Sequence, residues 1–401
     1  MHSALTFLAS TLGIRVPLTG GGVIHSVFAR ALNLSGSDTW LALQSPGLPP
    51  VAHGLEVSWP LRDLREHFAA GGTWGWQDGR LSVASRNGGE VIRVSTQHAT
   101  MWRSPLRPGA ADDKRIASRV FAASHACARL AGGRSVFWGD VSDHPPPSVH
   151  RARQGLRALR QACAADEIDA AVRVLIGLGP GLTPAGDDAM IGWLAGMMLL
   201  PPDRLRDQLA SEARRAVAEC LPRTTDVSRA HLEDALSGEF SEALSRFANA
   251  LAAHTFDVVS VRAALFELAR VGASSGLDAA AGLLAALAAA TRDPPARRRS
   301  HECSGLTWAT EVTERLAGLG AISDQPHLAI PGRRRGTWDP GIKPECLLDS
   351  GMTPPPLRPQ DAGEGWGGGN CLAIAPPIPA FPRKRGKEKL SVFSVTSAAR
   401  L

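Results

Sequence analysis

Lysine is nearly missing from most of this 401-residue sequence. Residues 1–291 contain a single lysine, Lys114, and no G-x-x-x-x-G-K-[ST] motif. A P-loop uses the lysine of that motif to reach the β- and γ-phosphates of a nucleotide. The shortage therefore argues against ordinary P-loop nucleotide chemistry.

Paired cysteines and long apolar runs are lacking as well. The six cysteines are widely spread, with no C-x-x-C pair and no histidine at zinc-ligand spacing, which is typical of reduced thiols. The most apolar runs, 189–200 and 279–290, are shorter than the ~20 residues that cross a bilayer. Residues 1–12 lack the basic segment and long apolar core of a secretory signal. We expect a soluble cytoplasmic protein with no membrane partner, in which both runs are buried helices.

Residues 1–291 lack an excess of charge of either sign, because they hold 28 basic and 27 acidic side chains. The net charge of +6 arises mainly after residue 291, where 16 basic side chains face 11 acidic ones. A basic face or stripe is the electrostatic footprint of nucleic-acid binding. The near-neutral body therefore predicts no nucleic-acid partner.

Two kinds of periodicity divide the chain. Short β-favouring runs alternate with turn residues at 23–28, 39–43, 81–84 and 91–94. Helical patterns follow at 113–131, 148–165, 203–220, 229–252 and 257–270. These patterns predict an α+β protein with a β-rich domain at 15–110 and a mainly α-helical domain at 111–291.

The remaining residues, 292–401, show no sustained periodicity. They hold 14 of the 29 prolines and several arginine and glycine runs. Such composition is typical of a disordered extension. A partner-binding or nucleic-acid-binding tail and out-of-frame translation are the alternatives.

A glycine-rich loop is the most distinctive segment. Residues 177–188 read G-L-G-P-G-L-T-P-A-G-D-D and lead into an apolar helix that ends before Pro201. Asp187 and Asp188 then lie in the first turn of the helix, where free N–H groups point outward. Both can act as caps, but one aspartate suffices for that role. We favour ligand binding, because a second carboxylate beside an apolar helix exceeds what a cap needs.

The helix start has an echo later in the chain. Residues 186–196 and 276–286 share the frame G-x-D-A-x-x-G-x-L-A. Small residues at Gly192 and Gly282 allow two such helices to pack closely, which predicts that Asp188 and Asp278 share one rim. Chance similarity in a sequence rich in alanine, glycine and leucine is the alternative.

A hydroxyl-rich stretch, 222–228, lies between these helices. It offers Arg223 as a fork for a carboxylate or phosphate, and Thr224, Thr225 and Ser228 as hydrogen-bond donors. Taken alone, the stretch favours a plain helix cap by Thr225 or Asp226.

These motifs resemble a known family. The loop G-x-G-P-G-L-T-P-x-G-D-D, the T-T-x-x-S segment and the S-S-G-x-D helix start are similar to the AllH-type subunit of oxamate carbamoyltransferase, as is the segment 23–34. The resemblance covers roughly residues 15–290. One position departs from it: the second glycine motif commonly reads G-H-x-S-G, and Ala273 stands here in place of the histidine.

The resemblance implies a subunit of a three-component enzyme of nitrogen catabolism, which exchanges a carbamoyl group between oxalurate and phosphate to give oxamate and carbamoyl phosphate. It implies companion protein subunits and a small anionic substrate. A Mg²⁺-dependent phosphotransferase or hydrolase and a non-catalytic partner subunit are the alternatives. No residue is identified as a metal ligand from the sequence. Mg²⁺ is the one cofactor that the aspartates favour.

Transfer of a carbamoyl group depends on positioning and electrostatics. We therefore assign Asp187 and Asp188 to binding the carbamoyl NH₂ or Mg²⁺, and Arg223 to the anionic end of the substrate. Further predicted substrate-binding residues are Gly179, Gly181, Thr183, Gly186, Thr224, Thr225, Ser228, Ser274, Ser275 and Asp278.

The charge distribution yields a first prediction. Any salt-sensitive DNA or RNA binding by the full chain is lost when residues 292–401 are removed, because the near-neutral body releases few counterions. Electrophoretic mobility shifts at two salt concentrations measure this. Salt-sensitive binding by residues 1–291 would contradict it.

Overall fold

A computed structural model describes residues 5–290, apart from residues 38, 87–90, 112 and 139–144 and the side chains of residues 113 and 114. The predicted disordered tail, 292–401, lies outside the described residues.

Nine strands form the first part of the described chain. Buried positions alternate along the sequence in β7 and β8, where every second side chain enters the core. Leu81, Val83, Ile92 and Val94 are buried in this way. The strands are β1 Thr6–Gly13, β2 Gly21–Val27, β3 Ala31–Gly36, β4 Trp40–Gln44, β5 Gly54–Val57, β6 Thr73–Gln77, β7 Arg80–Ala84, β8 Val91–Ser95 and β9 Thr100–Trp102.

The strands make one sheet in the order β5-β4-β3-β2-β6-β7-β8-β1-β9. An additional antiparallel pairing of β1 with β5 closes eight of these strands into a ring. Most neighbours are antiparallel, but β1 runs parallel to β8 and β9, and β4 runs parallel to β5. The closed sheet surrounds a core of its own, which includes Trp59, Phe68 and Trp74.

Helices make up the rest of the described chain, so the predicted α+β class is confirmed. No helix among the described residues is long and apolar enough to cross a membrane. The helices are α1 Asp113–Ala131, α2 Pro147–Gln161, α3 Ala165–Leu175, α4 Ala185–Leu199, α5 Arg204–Cys220, α6 Asp226–Leu236, α7 Glu242–Ala252, α8 Val258–Leu268 and α9 Ser275–Ala290.

The helical stretch predicted at 229–252 is two helices in the structure. Gly238 has a φ of 80°, which ends α6 in the left-handed conformation that favours glycine. The side chain of Ser241 then accepts a hydrogen bond from the Leu244 N–H at the start of α7. Hydrophobic periodicity continues across this turn, and for that reason the pattern alone does not reveal the break.

Polar contacts join the strand region to the helices. Glu239 accepts hydrogen bonds from the Ser104 N–H at 2.8 Å and from the Arg103 side chain. The hydroxyls of Ser104 and Ser245 lie 2.9 Å apart. Both carboxylate oxygens of Glu239 therefore hold the segment that follows β9 against the start of α7.

Helices α4 and α9 pack against each other with their backbones in close contact. A Cβ atom added to Gly192 would lie 1.8 Å from the Ala279 carbonyl oxygen, and one added to Gly282 would lie 1.8 Å from the Ala189 carbonyl oxygen. The echo in the sequence pairs Gly192 with Gly282 and Ala189 with Ala279. Each contact therefore occurs twice with the roles exchanged, the pattern of an approximate two-fold axis between the helices.

The preceding turns follow the same symmetry. A Cβ on Gly186 would lie 2.0 Å from the Leu175 carbonyl oxygen at the end of α3, and one on Gly276 would lie 1.7 Å from the Leu268 carbonyl oxygen at the end of α8. The repeated unit is thus a helix, a glycine turn and a second helix that starts against the end of the first. Glycine is required at both starts because backbone occupies the space of a side chain.

The helix contact yields a second prediction. Gly192→Ala lowers the free energy of unfolding by roughly 3 kcal/mol, since the new methyl group forces two backbones apart. The matched control is Gly155→Ala in α2, whose Cβ would meet the Leu175 side chain at 2.9 Å. A side chain can shift, and we expect a loss under ~1 kcal/mol there. Urea unfolding measures both, and equal losses would contradict the tight crossing.

Candidate functional site

The glycine loop, residues 177–184, connects α3 to α4. Gly177, Gly179 and Gly181 all have positive φ, at 78°, 134° and 92°. Gly177 packs against the Arg223 carbonyl oxygen and Gly179 against the Ala185 nitrogen, at 2.5 and 2.7 Å from an added Cβ. None of the described residues lies within 4 Å of the same point on Gly181. The loop is therefore closely packed at its ends and open at its tip.

Asp187 supports this loop from beneath. Its carboxylate is fully buried and accepts hydrogen bonds at both oxygens. Oδ1 accepts from the Gly177 N–H at 2.7 Å, and Oδ2 accepts from the hydroxyls of Thr224 and Ser228, the latter at 2.7 Å. Both oxygens are thus occupied by protein donors, and the carboxylate ties the loop to the 222–228 stretch.

The hydroxyl-rich stretch packs against the other side of the loop. Thr225 caps α6 by accepting from the Ser228 N–H at 3.1 Å, and its hydroxyl donates to the Leu182 carbonyl. Arg223 is exposed, with its Nη1 3.7 Å from the Cys220 sulfur. The three hydroxyls of the stretch therefore bond within the protein, while the guanidinium of Arg223 lies at the surface beside the loop.

Asp188 and Asp278 form a pair of carboxyl groups, which is called the carboxyl pair below. They occupy equivalent positions in the first turns of α4 and α9, and both are buried. Among the described residues, neither Asp188 Oδ2 nor Asp278 Oδ2 has a hydrogen-bond partner, although both atoms are buried. An unpaired buried oxygen is unfavourable by ~1–3 kcal/mol. The two atoms are therefore positioned for a donor or a cation.

Hydroxyl groups surround this carboxyl pair. The hydroxyls of Thr183 and Ser275 lie 2.8 Å apart and link the glycine loop to the start of α9. Both residues are partly exposed, whereas Asp188 and Asp278 are buried. The hydroxyl pair therefore lies on the solvent side of the carboxyl pair.

Burial dominates the electrostatics of all three aspartates. It raises the pKa of Asp188 well above the usual value, and the neighbouring Asp278 raises it further, against the Ser275 and Thr183 hydroxyls, which lower it. Burial also raises the pKa of Asp278 to about 6, against hydrogen bonds from Ser135 and Ser274. The pKa of Asp187 is raised by burial and lowered by its three donors. Burial and a neighbouring carboxylate both favour the protonated form of a carboxyl group, and both act on Asp188.

One member of the site was missed by the sequence analysis. Ser135, which follows α1, donates its hydroxyl to Asp278 Oδ1 at 2.5 Å. Trp138 lies nearby and donates its ring N–H to the Leu277 carbonyl at 2.8 Å. The segment around Ser135 carries no motif. Ser135 and Asp278 are 143 residues apart in the sequence, and only the fold brings them together.

The departure at Ala273 lies in the turn before α9. Gly272 has a φ of 61°, and the Ala273 carbonyl accepts from Arg134 at 3.5 Å. Residue 273 is exposed, so a side chain there projects from the turn that carries Ser274 and Ser275.

The arrangement supports two kinds of chemistry. A carboxyl pair with free oxygens accepts hydrogen bonds from an amide NH₂, and it also offers hard oxygen ligands for Mg²⁺. The carboxyl group that retains a proton can donate it during a reaction. An anion, by contrast, would be repelled by the pair and fits the backbone N–H groups of the loop or Arg223.

Comparison with known proteins agrees with the motif resemblance. The model of the family described as oxamate carbamoyltransferase subunit AllH matches residues 175–287. This range begins at the last residue of α3 and includes the glycine loop, the 222–228 stretch and the start of α9. No curated protein and no solved structure matches the chain.

The raised pKa values yield a third prediction. A carboxyl group whose pKa is higher in the folded state stabilises the fold below its unfolded pKa, and this stability is lost as the pH rises through the folded value. For Asp278 this loss of folding stability takes place between about pH 4 and its pKa of about 6. It amounts to about 3 kcal/mol.

Asp278→Asn removes this loss. The variant therefore gains stability relative to the parent as the pH rises from 5 to 8. Urea unfolding at several pH values measures the difference. Asp203→Asn is the matched control, since Asp203 is an exposed cap that asparagine can replace. A difference between Asp278→Asn and parent that does not change with pH would contradict the assignment.

Proposed function

We propose that this chain is a subunit of a carbamoyltransferase complex that interconverts oxalurate and phosphate with oxamate and carbamoyl phosphate. The observation that carries the proposal is the pair of free, buried carboxyl oxygens of Asp188 and Asp278 beneath the glycine loop. The family match over residues 175–287 supports the same chemistry.

The proposed roles follow the polarity of the substrate. The carboxyl pair accepts the N–H groups of the carbamoyl NH₂, and the hydroxyls of Thr183 and Ser275 complete the polar contacts. N–H groups at the tip of the loop, around Gly181, stabilise the negative charge that develops on the carbamoyl oxygen. Arg223, exposed beside the loop, binds the phosphate or carboxylate end.

The proposed reaction moves one proton from hydrogen phosphate to nitrogen. A phosphate oxygen attacks the carbamoyl carbon of oxalurate, the bond from that carbon to the oxamate nitrogen breaks, and this nitrogen takes a proton. A carboxyl group with a raised pKa is suited to give that proton and to regain one from the hydrogen phosphate, and Asp188 is the better candidate because its partner Asp278 raises its pKa further. In this scheme Asp187 positions the loop and does not touch the substrate.

A specific observation favours a second candidate function. The loop tip is exposed, and the side chain of Leu182 is 38% exposed there. An apolar side chain on an open tip can dock against a companion subunit that holds the catalytic groups. In that case this chain is a non-catalytic partner, and the carboxyl pair is a structural feature.

Asp188→Asn separates the two functions and gives the fourth prediction. We expect the variant to lower the carbamoyltransferase activity of the complex by ~100-fold or more, since it replaces one acceptor oxygen by an NH₂ group and removes the acidic proton donor. The complex is purified from the native host through this chain, its components are identified by mass spectrometry, and phosphorolysis of oxalurate is measured.

Two controls sharpen this test. Asp203→Asn and Asp257→Asn alter exposed caps of α5 and α8 and leave the activity unchanged. Titration of the isolated chain with oxamate, carbamoyl phosphate or Mg²⁺ then identifies the ligand of the carboxyl pair. Full activity of Asp188→Asn in an intact complex would favour the partner-subunit function. Binding of Mg²⁺ without binding of oxamate or carbamoyl phosphate would favour a Mg²⁺-dependent phosphotransferase or hydrolase.

A further inference from the structure

A second cluster of ionisable side chains lies where the closed sheet meets α6. His53 comes from the turn between β4 and β5, and His231 and Asp234 lie on one face of α6. Each residue offers one ligand atom, and the three atoms lie within 4.8 Å of one another. None of these residues takes part in the glycine loop or the carboxyl pair.

The two histidines lie side by side. Their rings meet edge to face with centroids 4.7 Å apart, so they do not pair with each other through a proton. A neutral imidazole has a free lone pair, which is the form that binds metal ions.

Asp234 is oriented by a second group. Arg15 donates to Oδ1 at 2.8 Å, which leaves Oδ2 directed at His53 Nδ1, 2.5 Å away. A carboxylate held at one oxygen by an outer hydrogen bond is a common arrangement around metal ions. A metal ion would replace the proton between Oδ2 and Nδ1.

A cavity of about 100 Å³ opens beside the cluster, lined in part by Arg15, Thr39, Trp40, His53 and Asp234. The Thr39 hydroxyl oxygen and the Trp40 ring nitrogen are buried and have no hydrogen-bond partner within the described part of the chain. A water molecule fills about 30 Å³. The cavity therefore has room for a water ligand, and both unpaired groups can hydrogen-bond to it.

We propose that His53, His231 and Asp234 form a site for a divalent transition metal ion, with water as the fourth ligand in the adjoining cavity. Two imidazoles and one carboxylate are a ligand set that zinc accepts in tetrahedral geometry. Ligand atoms on one zinc ion lie at most ~4 Å apart, because each bond is ~2 Å long. The widest separation therefore needs to close by less than ~1 Å, and the 2.5 Å contact between Asp234 Oδ2 and His53 Nδ1 needs to open to the ~3.3 Å of a tetrahedral ligand pair.

The site has a structural consequence for α6. Asp234 and His231 lie toward the end of this helix, and Ser228 at its start donates to Asp187. A metal ion would thus fix the helix that supports the glycine loop to the turn before β5. This inference does not rest on the proposed function, since it concerns other side chains and a different ligand.

The test uses the untagged full chain and Co²⁺ as a spectroscopic probe for Zn²⁺. We expect one equivalent of Co²⁺ to bind, with visible absorption bands of a four-coordinate site and no thiolate charge-transfer band. Zn²⁺ displaces it and raises the melting temperature. His231→Gln and His53→Gln each weaken binding by more than ~100-fold, beyond the 10–100-fold typical of an outer-shell loss. The matched control His125→Gln, an exposed residue of α1, binds as the parent does.

Three outcomes would overturn the proposal. The parent chain binds no stoichiometric Co²⁺ or Zn²⁺ at micromolar concentrations, a result that needs no folded variant. Alternatively, binding shows a thiolate charge-transfer band, which assigns it to cysteine. Finally, both glutamine variants, shown to be folded by circular dichroism, keep the affinity of the parent.

Discussion

The reciprocal contact between α4 and α9 is the constraint on which the rest of the helical region depends. Backbone meets backbone at Gly192 and Gly282, where an added Cβ would lie 1.8 Å from a carbonyl oxygen. At so short a distance the helices have one way to cross, and their first turns converge. Asp188 and Asp278 are neighbours for this reason, and the effect of Asp278 on the pKa of Asp188 follows from the same geometry.

The three buried aspartates differ in how many of their carboxyl oxygens have hydrogen-bond partners. Asp187 has protein donors at both oxygens, so its burial is compensated within the fold. Asp188 and Asp278 each retain an oxygen without a partner among the described residues. A buried polar atom without a partner is a persistent destabilisation, and sites that bind ligands commonly tolerate it. The motif G-D-D thus combines one carboxyl group that supports the loop and one that retains an oxygen without a partner among the described residues.

Helix α6 connects the parts of the molecule that carry polar chemistry. Its first turn supplies Ser228 to the loop-supporting carboxylate, and Asp234 near its other end bonds to Arg15 and His53 of the strand region. The spacing of six residues corresponds to ~9 Å along the helix axis. The strand region therefore positions, through one helix, the loop that covers the carboxyl pair.

The sequence by itself determined the α+β class and the two small-residue helices, because their hydrophobic patterns are local and repeat at fixed spacing. It also determined the glycine loop, because that loop is a local run of glycine and proline residues. The shared frame at 186–196 and 276–286 also anticipated that Asp188 and Asp278 meet. Only the tertiary structure decided which carboxyl oxygens are free, that Ser135 reaches Asp278, and that His53 meets Asp234 from 181 residues away. Such contacts depend on how distant elements pack, and no local pattern in the chain encodes the pairing of side chains across that distance.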